Sequence, residues 1–281
     1  MKAVFITGAS TGIGKACALE LDKLGFQVFV GVRKPDDGEA LKQLASERLT
    51  PIIIDVTDDK TILAAYETVA SRVGEHGLYG LVNNAGISVS APIELVPLSE
   101  FRNQLEVNVI GQVAVIQAFM PLIRQAQGRI INISSILGRL SLPFTGPYCA
   151  SKFALESLTD SLRMELQPWG ISVIIIEPGS IDTPIWKKSL KMADDIIQKL
   201  PKKTFDLFYA SAAEKTKSAL LNKASKGIAP EQVAKAVVQA LTAQKPKTRY
   251  LVGQDAYLGA VLVLFPDWLR NWLIMKHMGL T

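Results

Sequence analysis

The sequence predicts an α/β protein: a doubly wound parallel sheet forming a single domain. Three observations predict it. Strand-like apolar runs alternate with stretches of helical periodicity through residues 3–252. The first such run empties directly into a glycine-rich turn. Polar, small and glycine-bearing clusters then recur where each predicted strand ends, the edge at which ligands lie in sheets of this kind. Parallel strands joined through helices take right-handed crossovers.

The first strand, 3–7, leads into Thr7-Gly8-Ala9-Ser10-Thr11-Gly12-Ile13-Gly14, and a helix follows with apolar residues at Ala16, Leu19 and Leu24. Glycines let the backbone turn tightly and approach a diphosphate, whose charge the free N–H groups of a helix N-terminus favour. The spacing is Gly-x-x-x-Gly-x-Gly, unlike the Gly-x-Gly-x-x-Gly of other dinucleotide folds. A second strand over Gln27–Val32 ends at Val32-Arg33-Lys34. An acid at that place suits ribose hydroxyls, whereas the Arg33 guanidinium suits a 2′-phosphate by charge and fork geometry. NADP is favoured over NAD, although Asp36 and Asp37 lie close by and Thr11 stands where a second cation would help.

A third strand, 51–56, ends in Asp55 and Val56, with Asp55 placed to accept from an adenine amino group, and a helix over 58–73 follows. The fourth strand, 78–82, leads into Asn83-Asn84-Ala85-Gly86, where amides can satisfy loop backbone and small residues let a flat ring pass. A helix over 98–125 carries Asn108 three residues before Gly111. Asparagine is a poor helix-interior residue, so either a site demands it or the helix kinks there.

The fifth strand, 129–133, ends at Ser134-Ser135, and Pro147 opens the next helix, 147–167. Tyr148 and Lys152 then share one helix face. An ammonium beside a phenol favours the phenolate, which predicts a Tyr148 pKa below the free value of about 10. Ser135 can join the phenol on one substrate oxygen. A sixth strand, 171–176, reads as buried and parallel and ends at Glu177-Pro178-Gly179-Ser180-Ile181-Asp182-Thr183.

With 281 residues, 48% apolar and 20% charged, the chain can bury one substantial core. The first strand begins close to Met1, so no cleavable secretory signal and a cytoplasmic body are expected. Cys17 and Cys149 suggest free thiols, and two histidines, His76 and His277, give no ligand spacing, so no metal is expected. The net charge of +5 is concentrated between Lys187 and Lys226, where ten lysines face Asp194, Asp195, Asp206 and Glu214. A solvated helical face, an anionic substrate or a membrane surface would each account for it. No nucleic-acid-binding module accompanies the lysines.

Together, Thr7-Gly8-x-x-x-Gly12-x-Gly14, Asn83-Asn84-Ala85-Gly86, Asn108, Ser135, Tyr148-x-x-x-Lys152 and Pro178-Gly179 resemble the short-chain dehydrogenase/reductase family over nearly all of residues 2–252. The resemblance implies a Rossmann-type fold and an NAD(P)-dependent oxidoreductase. Tyr148 would exchange a proton with an alcohol or carbonyl while hydride moves to or from the nicotinamide, and Ser135 would stabilise charge on the same oxygen. Lys152 would bind the nicotinamide ribose and keep the tyrosine acidic, with Asn108 holding a relay water. Gly8, Ser10, Thr11, Gly12, Ile13, Gly14, Arg33, Asp55, Val56, Asn84, Ala85, Gly86, Tyr148, Lys152, Pro178, Gly179, Ile181 and Thr183 match cofactor-binding positions.

Residues 147–156 and the chain length resemble the hydroxysteroid and retinol dehydrogenase branch. The segment 184–229 corresponds to a helical substrate lid. Its Ile185, Trp186, Leu190, Ile196, Ile197, Leu207 and Phe208 either cover a lipophilic substrate or bury the lid's own helices. The rival readings are a reductase of anionic acyl thioesters or acyl phosphates, served by the basic lid, and a non-catalytic dinucleotide-sensing scaffold. After a last strand at 249–252, the apolar run 256–265 is half the length a bilayer span requires. Trp268, Leu269, Trp272, Leu273 and Met275 continue with helical spacing. The tail, 254–281, would lie at a membrane interface, pack on a sister subunit or close over the substrate. Family members pair through the helices holding Asn108 and Tyr148, so a homodimer or homotetramer is expected.

Overall fold

A computed structural model describes residues 1–280, and every side chain among them except those of Lys223 and Ala224. Seven parallel strands form one sheet: β1 (Ala3–Ile6), β2 (Gln27–Val32), β3 (Leu49–Ile53), β4 (Gly80–Asn83), β5 (Arg129–Ile133), β6 (Ser172–Pro178) and β7 (Arg249–Val252). Their order, β3-β2-β1-β4-β5-β6-β7, reverses direction between β1 and β4. Connections diverge there, leaving a crevice at the carboxyl ends of the strands.

Period-two alternation supplies both faces of the sheet. Val4 and Ile6 of β1 enter one core with Cys17 and Leu21 of α1 (Gly12–Lys23), Leu41 of α2 (Pro35–Lys42) and a late helix carrying Val233, Val237 and Leu241. Ala3 and Phe5 enter the opposite core with Ile62 and Val69 of α3 (Asp59–Val73). Phe5 stacks there on Phe119, ring centroids 4.6 Å apart. Each fully buried side chain of this size contributes roughly 1.5–3 kcal/mol. β3 starts two residues and ends three residues earlier than the sequence suggests, leaving Ile54, Asp55 and Val56 beyond it, where Asp55 Oδ1 accepts from Thr57 N and Oγ1 and closes a turn. Pro51 sits within β3, which is tolerated because β3 is an edge strand.

The long predicted helix divides into α4 (Leu98–Leu105) and α5 (Gly111–Ala126), joined by a π-helical turn over Glu106–Ile110. Asn108 lies in that turn, so the kink and a demand made by the site coincide, as π-bulges commonly do. Helix α6 (Gly146–Leu166) starts with Pro147 in its first turn and carries Tyr148 and Lys152. The segment expected to be a lid comprises α7 (Ile185–Ile197), α8 (Lys202–Phe208) and α9 (Ala210–Ser225). It packs Ile196, Leu200 and Phe205 on Val89, Ala91 and Val96. Next, α10 (Pro230–Thr242) completes the first core. The tail forms α11 (Gln254–Leu262) and α12 (Asp267–His277), and buries Ile274 and Met278 against Leu140.

Candidate active site

A cavity of about 1410 Å³ follows the carboxyl ends of β1 to β6 and continues beneath the lid and tail. Every site residue named from the sequence lines it except Gly14. That glycine serves packing instead: a β-carbon on it would stand 2.5 Å from Asn84 Nδ2 and 2.6 Å from the Gly8 carbonyl oxygen. Asn84 uses the same nitrogen to donate to the Thr7 and Gly8 carbonyls, at 3.0 and 2.9 Å, clamping the first glycine turn to the fourth strand's loop. Gly8 has φ +63° and Gly12 φ +57°, conformations that favour glycine. Thr11 precedes α1 without its side chain capping the helix, so the first N–H groups face the cleft side of a shallow cradle fit for a diphosphate.

At the ribose end of this groove, Arg33, Lys34, Asp37 and Asp55 line the cavity together. Burial pushes the Asp55 carboxyl up, but Thr57 and the Arg33 charge outweigh it and hold the acid below its usual range. Two cations and two carboxylates thus share this end of the groove.

At the other end, Asn108, Ser135, Tyr148 and Lys152 meet on one wall. Ser135 Oγ accepts from Leu137 N at 3.1 Å, which fixes the hydroxyl at the end of β5. Both Asn108 amide hydrogens are used, toward the Ile87 carbonyl at 3.0 Å and Ser151 Oγ at 3.1 Å, while its Oδ1 accepts from Ile87 N at 2.9 Å. The π-turn asparagine therefore pins the loop after Gly86 to helix α6. Lys152 Nζ donates to the Ile133 carbonyl at 2.8 Å and lies 5.8 Å from the centre of the Tyr148 ring.

The expected acidification of the phenol is not found in this structure. Burial pushes Tyr148 up to about 12, although the Ser135 hydroxyl pulls the other way. Burial likewise brings Lys152 down to about 8, against the Glu156 carboxylate, which raises it. Desolvation outweighs the tyrosine–lysine attraction because the ammonium is turned toward a backbone carbonyl. Both groups remain protonated at neutral pH.

The lid residues separate into three sets. Ile185, Trp186 and Leu190 line the cavity. Ile196 and Ile197 bury the lid's own base, while Leu207 and Phe208 face solvent. Sequence reasoning missed the loop residues Ser88 and Ser90 and the wall made by Leu140 and Leu142. For the tail it left three alternatives open; Leu258, Leu262, Phe265, Trp272 and Ile274 close over the cavity. The helical spacing of the tail was the available signal, but spacing does not say what a face will meet.

The family pattern described as short chain dehydrogenase matches residues 2–194, and the chain belongs to that family. It is an NAD(P)-dependent oxidoreductase acting on CH–OH groups. It is 38% identical over 263 residues to mouse retinol dehydrogenase 5, covering 91% of this chain and 81% of the relative. It is 38% identical over 283 residues to bovine 17-beta-hydroxysteroid dehydrogenase type 6, covering 98% and 88% respectively. Among solved structures, a short-chain dehydrogenase from Streptomyces avermitilis superposes with a TM-score of 0.79 at 28% identity, covering 99% of this chain and 97% of that one. A short chain dehydrogenase from Burkholderia cenocepacia in complex with NADP gives 0.74 at 25% identity, covering 98% and 99%.

Proposed function

We propose that the protein interconverts a lipophilic alcohol and its carbonyl, of retinoid, steroid or fatty type, with NADP(H) favoured over NAD(H). The observation that carries this reading is the continuous cavity: from the Ser135–Tyr148 wall it passes under Ile185, Trp186 and Leu190 of the lid and Leu258, Leu262 and Phe265 of the tail. An apolar chamber with few polar anchors suits such a ligand. The relatives named for retinol and hydroxysteroids support the same substrate class. Arg33 and Lys34 supply the argument for a 2′-phosphate.

When bound, the nicotinamide supplies or accepts the hydride. Tyr148, protonated at neutral pH, donates to the carbonyl oxygen in reduction. Ser135 holds that oxygen, and its hydrogen bond is worth most where charge develops. Lys152 presents a cation to the cofactor ribose, while Asn108 holds the 86–88 loop against α6. Gly8, Ser10 to Ile13, Asn84 to Gly86, Pro178 to Ile181 and Thr183 line the cavity and would wall the cofactor, with Asp55 available to its adenine.

In this reading residues 1–281 act as one catalytic unit, cytoplasmic and resting peripherally on a membrane through the tail. Ile110, Phe153, Leu158 and Met164, exposed on or beside the helices holding Asn108 and Tyr148, supply an apolar surface for a homodimer or homotetramer. The anionic-acyl alternative is weaker: of the described lid lysines, only Lys188 lines the cavity.

The test is reduced-nicotinamide absorbance with purified protein, NADPH or NADH, and a panel of retinoids, steroids, fatty aldehydes, small ketones and acyl thioesters. Turnover confined to the lipophilic carbonyls is expected. Preferential turnover of thioesters would replace this reading with the acyl one.

A further inference from the structure

Three serine hydroxyls gather on one stretch of the chamber wall, and the mechanism above uses none of them. Ser88 and Ser90 come from the loop after β4, Ser189 comes from α7, and all three line the cavity. Ser90 and Ser189 are buried. The chain around them is apolar: Ile87, Trp186 and Leu190 line the same cavity, and Val89, between the two loop serines, is fully buried.

Ser189 Oγ lies 3.3 Å from Ser88 Oγ and 3.3 Å from Ser90 Oγ. A helical serine commonly bonds the carbonyl four residues back. Ser189 turns to the loop instead. Each hydroxyl has one hydrogen and two lone pairs. Ser189 gives its hydrogen to Ser88, so Ser90 supplies the hydrogen of the other contact. Ser88 acts only as an acceptor, and its own hydrogen meets no group among the described residues. Both contacts are also longer than the roughly 2.5–3.0 Å of a good O–H···O bond. Hydroxyls in apolar surroundings cost free energy unless fully bonded, and a wall that had only to hold hydrocarbon would avoid the cost with alanine.

The loop does not depend on these hydroxyls for its shape. Asn108 bonds both the N–H and the carbonyl of Ile87, at 2.9 and 3.0 Å. Gln104 Oε1 accepts from Val89 N at 2.7 Å, and Ala91 N donates to the Phe144 carbonyl at 2.8 Å. Ser88 and Ser90 are therefore placed by backbone contacts on either side, which leaves their hydroxyls preorganised for a ligand.

We propose that Ser88, Ser90 and Ser189 form a second polar anchor of the substrate site, with Ser88 donating to an uncharged hydroxyl or ketone oxygen that the substrate carries apart from its reacting oxygen. This rests on the lipophilic alcohol/carbonyl reading and narrows it. The preferred substrate has two oxygen functions on one apolar skeleton, as a hydroxyketosteroid has, rather than the single oxygen of a retinoid or fatty aldehyde. Ser135 and Tyr148 take one oxygen and the serine cluster takes the other, so the cluster decides which end of the molecule reacts. No charged side chain bonds these hydroxyls among the described residues, which suits a neutral oxygen better than a carboxylate.

The test compares three carbonyls in reduction by NADPH and by NADH: a steroid ketone with a hydroxyl at the far end of its ring system, the same ketone without that hydroxyl, and retinal. In the wild type, kcat/KM should be highest for the hydroxyketone. Ser88→Ala should raise KM for the hydroxyketone about 2–10-fold relative to the ketone lacking the hydroxyl, with kcat changed less. Adding Ser189→Ala should widen that gap. If the serines served only to hold α7 against the loop, all three substrates would shift alike. Equal shifts in folded variants, or a wild type that prefers the simple ketone or retinal, would overturn the proposal and leave the oxidoreductase reading standing. A wild type that reduces none of the three would remove the lipophilic reading, and the proposal with it.

Discussion

Gly179 and Asp255 approach so closely that a β-carbon on the glycine would stand 1.9 Å from Asp255 Oδ1. Asp255 uses the space to accept from Ser180 N at 2.6 Å and from Ala256 N at 3.1 Å, tying the turn after β6 to the first turn of α11. The turn after β6 and the tail are thus joined through one carboxylate. Gly179→Ala must displace that carboxylate, so it should destabilise the fold by about 1–3 kcal/mol. Adding Asp255→Ala should recover part of the loss. A double-mutant cycle by urea denaturation checks this, and additive losses would show that the contact is not the cause.

Tyr148→Phe should leave cofactor binding intact and lower kcat about 10²–10⁴-fold, the range expected for removal of a general acid. Stability gives a second readout. The folded-state pKa is raised from 10.0 to about 12, so between those values the folded state binds more protons than the unfolded chain, and stability falls as pH rises. Wild type should lose about 1 kcal/mol relative to Tyr148→Phe between pH 9 and pH 11, measured by urea denaturation. A constant difference would mean that the phenol is not desolvated as described.

Why some of this was legible in the sequence and some was not has a physical basis. Strand, turn and helix signals are local, so the sheet, the glycine loop and the Tyr148–Lys152 face could be read directly. Asn108 could be flagged because it violates helix propensity, and the π-turn supplies the reason. That Gly14 packs on Asn84 could not be read from the motif, because the spacing does not say what a glycine's missing side chain would meet. The Tyr148 pKa went the other way because burial and the direction of Lys152 Nζ are tertiary properties. The contact of Ser189 with Ser90, 99 residues away, carries no local mark at all.

Arg33 should set the choice of cofactor. A charge-assisted hydrogen bond is worth about 1.5–3 kcal/mol, or roughly 10–100-fold. Arg33→Gln should therefore lower kcat/KM with NADPH by at least about tenfold while changing NADH little, because only one cofactor carries the 2′-phosphate. Steady-state kinetics with both cofactors provide the check. An unchanged NADPH/NADH ratio would locate the discrimination elsewhere, with Lys34 the next residue to replace.

The tail presents one face to the cavity and another to solvent. Phe265 and Trp272 line the chamber, whereas Leu264 and Trp268, 79% and 72% exposed, point away from it with Tyr257 also exposed nearby. Arg270 lies among them on α12, while Lys276 lines the cavity. Apolar and aromatic groups beside cations are the arrangement by which a short helix rests in a lipid interface, and a bilayer would bring lipophilic substrate to the chamber's edge. Leu264→Glu with Trp268→Glu should therefore reduce co-sedimentation with anionic phospholipid vesicles several-fold. Turnover of a small, freely soluble carbonyl should be unchanged, since neither residue lines the cavity. Equal sedimentation of wild type and variant would dismiss the membrane contact; loss of soluble-substrate turnover along with it would indicate instead that this face supports the chamber from outside.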